Sequence, residues 1–227
     1  MTRRLLLLSP AVLAAFQLRP AVQAVDHLIV GTRDLDAGIE WLSRKLGVRP
    51  ASGGVHPGRG TWNALLALGG RQYLELIAPD PKQSKGGEDV VAQLSALDTP
   101  RLIGWAASVA GIDALAQRLR PSVPDVAAVA DGSRRRGDGK LLAWKSLQVS
   151  RQRFSVVPFF IEWGSGSEHP SGDSPKGCTL QSVSFRHPQP EEFRALLAKM
   201  GLDAAVTRGD QSSLSAVLRT PKGTVTL

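Results

Sequence analysis

The stretch Val25-Asp26-His27-Leu28-Ile29-Val30-Gly31, followed closely by Asp34-Leu35-Asp36-Ala37, sets an apolar strand directly before an amphipathic helix. Ile39, Leu42 and Leu46 recur at helical spacing until Gly47 ends the helix. Seventy-seven positions later the pattern returns. Gly111-Ile112-Asp113-Ala114 falls against Asp34-Leu35-Asp36-Ala37, and Leu119 against Leu42. A strand-like run at 102–109 precedes this second helix, and Pro121 closes it. Such a period marks a duplicated structural unit.

Each copy continues through a glycine-rich loop into strands, Ala64-Leu65-Leu66-Ala67-Leu68 in the first and Leu141-Leu142-Ala143-Trp144 in the second. Each ends on a short apolar strand carrying one carboxylate, Tyr73-Leu74-Glu75-Leu76 and Phe160-Ile161-Glu162-Trp163. The two glutamates are 87 residues apart rather than 77, which we attribute to an insertion around 151–157 that a loop absorbs. The fold class expected is α+β: paired βαβββ modules, 25–80 and 101–163, forming an open curved sheet around a cleft. A linker rich in Ser, Gly and Pro, 164–177, leads to a third, partial βαββ unit at 178–227. There Gln181 stands where His27 stands in the first copy and Thr226 where Glu75 stands, so this unit reads as structural.

Composition bounds the function. The 227 residues, 42% hydrophobic and 21% charged, belong to the globular class. The net charge of +8 confers solubility, and its densest run, Arg134-Arg135-Arg136, has no interleaved aromatics for stacking on bases, so no nucleic-acid partner is expected. One cysteine, Cys178, excludes an internal disulfide and a multi-cysteine zinc site. Gly58-Arg59-Gly60 runs into a strand rather than a helix, which disfavours a phosphate cradle. No serine occupies a nucleophile elbow, and His169 and His187 each precede a proline in or beyond the linker, so a hydrolase triad has little support. The five tryptophans come from different elements and read as core and cleft wall.

The order of strands and helices, together with Asp26-His27-Leu28-Ile29-Val30 and Tyr73-Leu74-Glu75-Leu76-Ile77-Ala78-Pro79, resembles the glyoxalase-like domains of the vicinal-oxygen-chelate superfamily. His56-Pro57-Gly58-Arg59-Gly60-Thr61 with Asn63, the turn Arg135-Arg136-Gly137-Asp138-Gly139 and Pro158-Phe159-Phe160-Ile161-Glu162-Trp163 add to the likeness, which covers nearly everything after residue 24. The resemblance implies a divalent ion held in the cleft by residues of the first and last strands of each module. Carried over, the four positions are His27, Glu75, Gly104 and Glu162, with Gly104 offering no ligand. One nitrogen and two oxygens suit Mn, Mg, Zn, Co or Ni, and open coordination positions suit catalysis.

The function so implied is that of a metal-dependent lyase or isomerase acting on a small oxygenated compound, with Glu162 as the base; the alternative is a non-catalytic protein that binds or sequesters a small ligand. His56, Arg59, Thr61, Asn63 and Trp144 are the expected substrate contacts. Whether the cleft forms within one chain or by exchange in a homodimer is left open.

The first 24 residues have the layout of an export signal: Arg3 and Arg4, an apolar stretch at 5–16 too short to span a bilayer, and Val22-Gln23-Ala24 as a cleavage pattern. Pro10 and Arg19 weigh against it. Cleavage after Ala24 implies a periplasmic or secreted protein that loses nothing essential to its fold; without cleavage the protein is cytoplasmic. No stable membrane span is expected.

Overall fold

A computed structural model describes residues 18–83, 85–135 and 139–227. Residues 1–17 of the expected leader, and Arg136, Gly137 and Asp138 of the expected turn, lie outside the described residues. No helix among the described residues is long and apolar enough to cross a membrane.

The chain enters through β1 (Arg19–Pro20) and the single turn α1 (Ala21–Ala24). The first module follows as β2 (Val25–Gly31), α2 (Leu35–Leu46), β3 (Ala51–His56), β4 (Thr61–Ala67) and β5 (Tyr73–Pro79). Asp34 starts α2 by accepting the Ala37 N–H on its side chain at 2.7 Å, and Gly47, with φ of 77°, ends it in the left-handed conformation. After α3 (Glu88–Ser95) the second module repeats the order: β6 (Arg101–Ser108), α4 (Ile112–Leu119), β7 (Ala130–Arg135), β8 (Leu141–Leu147) and β9 (Phe159–Trp163). Two edge strands, β3 and β7, replace part of what the glycines led us to read as loops.

The modules join through their first strands, β2 antiparallel to β6, in one eight-stranded sheet of order β3-β4-β5-β2-β6-β9-β8-β7. The sheet curls until its free edges meet, and the Arg134 guanidinium of β7 donates to the Gly53 carbonyl of β3. The central strand β2 is buried along its whole length, which explains its unbroken apolar character around Asp26 and His27. Leu28, Leu42, Leu74 and Trp105 are among the fully buried side chains of the main core.

A 3-10 turn at Pro170–Gly172 leads to the C-terminal unit: β10 (Thr179–His187), α5 (Pro190–Lys199), β11 (Leu202–Asp203), β12 (Ala205–Arg208), β13 (Ser213–Thr220) and β14 (Gly223–Thr226). Its sheet order, β12-β10-β13-β14, differs from that of the modules, because β10 lies between its neighbours instead of pairing with the last strand. Phe185 packs on Trp105 with ring centroids 5.6 Å apart, so this unit shares the main core.

Residues 19–24 correct one expectation. Arg19 and Pro20 pair with Leu202 and Asp203, and Ala21 and Ala24 are buried in the core. Gln72 donates to the Val22 carbonyl at 2.6 Å, and Arg19 donates to the Ser108 carbonyl at 3.0 Å. The end of the expected leader is therefore part of the folded body, and a cut after Ala24 removes structure.

Candidate functional site

The inner face of the curled sheet encloses a cleft of about 410 Å³. His27 reaches it from the centre of β2. At Asp26 the register of β2 on β6 shifts, and a bulge there lets the carboxylate turn toward the neighbouring ring. Asp26 Oδ1 lies 2.8 Å from His27 Nδ1, while Oδ2 accepts from Trp163 Nε1 at 3.0 Å and lies 3.2 Å from His169 Nε2. Burial opposes ionisation of Asp26, but the hydrogen bonds and charges of His169 and His27 outweigh it and hold the carboxyl at about 2. An ionised Asp26 accepts only from a proton-bearing Nδ1, an arrangement that in the neutral ring puts the lone pair on Nε2.

That nitrogen faces Glu75. His27 Nε2 is 3.8 Å from Glu75 Oε2, and His56 Nε2 is 3.5 Å from Oε1. Asn63 donates to Glu75 Oε1 at 2.6 Å and approaches His56 Nε2 at 3.2 Å. Burial opposes ionisation of Glu75 as well, but His56, His27, the Asn63 hydrogen bond and Arg134 together keep its carboxyl below the usual range. His56 is lowered, first by burial, against the pull of Glu75 and with the charges of Arg134, Arg59 and Arg153. Gly53 is required here, because a Cβ would collide with Asn63 Oδ1.

Of the expected contacts, His56, Arg59, Asn63 and Trp144 line the cleft. Thr61 is buried behind His56 and holds its Nδ1 at 2.9 Å.

Glu162 is elsewhere, which corrects both its ligand role and its role as base. Its carboxylate accepts the backbone N–H of Gly111 at 2.7 Å and of Ile112 at 3.0 Å, capping α4. The reason lies in the repeat. The first copy caps its helix with Asp34, whereas the second has Gly111, which brings no side chain, so a carboxylate from β9 supplies the cap.

Strand register identifies what replaced it. Glu75 pairs with Ile29, and Ala106, the counterpart of Ile29 in the second copy, pairs with Phe159. Phe159 is thus the partner of Glu75 in the duplication, and its ring meets His27 edge-on at 5.5 Å. Glu162 lies three residues further along, an odd number, and so faces outward.

Gly104, the remaining ligand position, is covered by the inserted segment. A Cβ there would stand 3.6 Å from the backbone of Phe154 and Ser155, and Trp105 Nε1 anchors that segment through the Val156 carbonyl at 2.9 Å. Both second-module positions therefore lack donors. Among the described residues no group of three or more His, Cys, Asp or Glu side chains is arranged to hold a metal ion. The residues present do not complete the implied chelate.

Sequence reasoning missed His169, Arg134, Arg153 and Phe159. Ser171, His169 and Asp26 form a hydrogen-bonded chain with the membership of a hydrolase triad. All three are buried, and the Ser171 hydroxyl donates to the Gly70 carbonyl, so the chain braces Asp26 rather than presenting a nucleophile.

Comparison with known proteins follows the same lines. The model of the glyoxalase-like domain matches residues 25–201. A crystal structure of a hypothetical protein from Staphylococcus aureus is similar with a TM-score of 0.62 at 18% identity, covering 89% of this chain and 83% of that one, and shares the fold. Methylmalonyl-CoA epimerase from Mycobacterium tuberculosis aligns with a TM-score of 0.42 at 24% identity over 66% of this chain and 93% of its own. No curated protein sequence matches significantly.

Proposed function

The chain belongs to the glyoxalase-like domain family, and from that premise we propose that its cleft takes a small oxygenated compound and moves a proton on it, as a lyase or isomerase does. The observation that carries this reading is the buried Asp26–His27 pair, which leaves the Nε2 lone pair facing Glu75 and the cleft. The base role expected of Glu162 passes to His27. A substrate carbon beside a carbonyl gives its proton to Nε2, and the imidazolium so formed lies between the carboxylates of Asp26 and Glu75. Negative charge building on the substrate oxygen is met by Arg59 and Arg153, which line the cleft.

The test is proton exchange. A panel of small 2-oxo acids in D2O, followed by NMR, is expected to show protein-dependent loss of the proton next to the carbonyl. His27→Gln is expected to slow it at least ~100-fold. Binding without any exchange by the unaltered protein contradicts the reading and leaves a protein that sequesters its ligand.

A second reading keeps a divalent ion on His27 and Glu75, with ligand and water completing its shell. It is favoured by Asp26 behind Nδ1, the arrangement that orients metal-bound histidines. Metal analysis separates the two: stoichiometric metal lost in Glu75→Ala supports the ion. In either case Glu162→Gln is expected to leave metal content and ligand binding unchanged and to lower stability by about 1 kcal/mol through the weakened cap. A changed ligand affinity in that variant would return Glu162 to the cleft.

A further inference from the structure

The duplication makes the cleft comparable with itself, because the paired strands of one module have counterparts in the other, the inserted segment at 151–157 apart. The two halves have diverged in opposite directions. The first module presents His27, His56, Asn63 and Glu75. The second presents Phe159 where Glu75 has its counterpart, with Trp144 and Trp163 beside it, their ring centroids 5.5 Å apart and tilted by 54°. A molecule spanning the cleft meets the His27, His56, Asn63 and Glu75 cluster, with Tyr73 and Ile77 beside it, on one side and three aromatic rings, with Asp131, Ser146 and Gln148 beside them, on the other.

Charge is distributed unevenly as well. Arg59 projects from the turn between β3 and β4, Arg134 crosses between the free edges of the sheet, and Arg153 comes from the inserted segment, all lining one cleft. Arg59 and Arg153 repel each other: the surroundings of Arg153 and then the charge of Arg59 lower its proton affinity, against attraction by Glu75. An anion between the two guanidinium groups relieves that repulsion.

We propose that the ligand is a flat aromatic or conjugated acid, its anionic group held by Arg59 and Arg153 and its ring lying against Trp144, Phe159 and Trp163. This rests on the reading of the cleft as a small-molecule site and names the class of compound that enters it. The volume of about 410 Å³ accommodates one ring with a short acid-bearing chain and excludes a large conjugate from full enclosure.

Four probes test the class: benzoate, benzamide, acetate and inorganic phosphate, titrated calorimetrically against the full chain at one ionic strength. Benzoate is expected to bind at least ~10-fold more tightly than benzamide, which lacks the charge, and than acetate, which lacks the ring. Trp144→Leu is expected to bring benzoate down to the affinity of acetate without altering phosphate binding, and Arg153→Gln to abolish the advantage of benzoate over benzamide.

Acetate or phosphate binding as tightly as benzoate overturns the ring requirement, and benzamide doing so overturns the acid requirement. If none of the four binds while 2-oxo acids still exchange protons, the proposal fails and the proton-transfer reading stands. If neither binding nor exchange occurs, both fail. Circular dichroism of each variant separates lost binding from lost folding.

Discussion

Asp26→Ala is expected to destabilise the fold by about 3–5 kcal/mol, the cost of removing one partner from a buried ionic and hydrogen-bonded cluster. Asp26 is 1% exposed and accepts from Trp163 while facing two imidazoles, so its loss leaves two buried imidazoles and a half-buried indole without their partner. The same residue sets an acid limb. Its carboxyl is held at about 2, below the ordinary value of 3.8, so its stabilisation is present above the unfolded-state value and is lost as pH falls toward 2. The size of that contribution is about 2 kcal/mol. Urea unfolding of the unaltered protein and of Asp26→Asn between pH 6 and pH 2 isolates it, because every other carboxyl is common to both. The difference between the two curves is expected to shrink as the pH falls. A difference constant with pH would show that Asp26 is not ionised within its cluster.

A chain beginning at Val25 is expected to be less stable than one beginning at Leu18 by about 3 kcal/mol, a loss of roughly 10 °C in Tm. The shorter chain loses the buried methyl groups of Ala21 and Ala24, the pairing of β1 with β11, and the hydrogen bonds from Gln72 and Arg19. It also uncovers the surface of β10 and β11 that α1 covers, loosening the C-terminal unit from the paired modules. Thermal unfolding of the two chains measures this. Equal midpoints would mean that residues 18–24 rest on the body without contributing to it.

The legible part of the fold was the part written locally. Asp34 and Gly47 mark the ends of α2, and the matching positions 77 residues on place α4, because caps and apolar spacing act within a few residues. The edge strands β3 and β7 were not legible. Ala51-Ser52-Gly53-Gly54-Val55-His56 lacks a strand's composition, and Gly53 is there because Asn63 leaves no room for a side chain, a demand made by another strand. His169 was set aside for the proline that follows it, yet that proline opens the turn which carries the imidazole to Asp26, 143 residues away in the chain.

The candidate site divides in the same way. The sequence by itself determined the duplication; that His27 and Glu75 approach each other was only implied by the family resemblance, and the parallel pairing of β2 with β5 is what brings them within 3.8 Å. Only the tertiary structure decided that Phe159 rather than Glu162 is the counterpart of Glu75. An apolar strand such as Phe159-Phe160-Ile161-Glu162-Trp163 satisfies either register by composition, and alternation sends residues an odd number apart to opposite faces. In the register adopted, Glu162 on the outer side of the sheet accepts the backbone N–H groups at the start of α4, which would otherwise lack an acceptor.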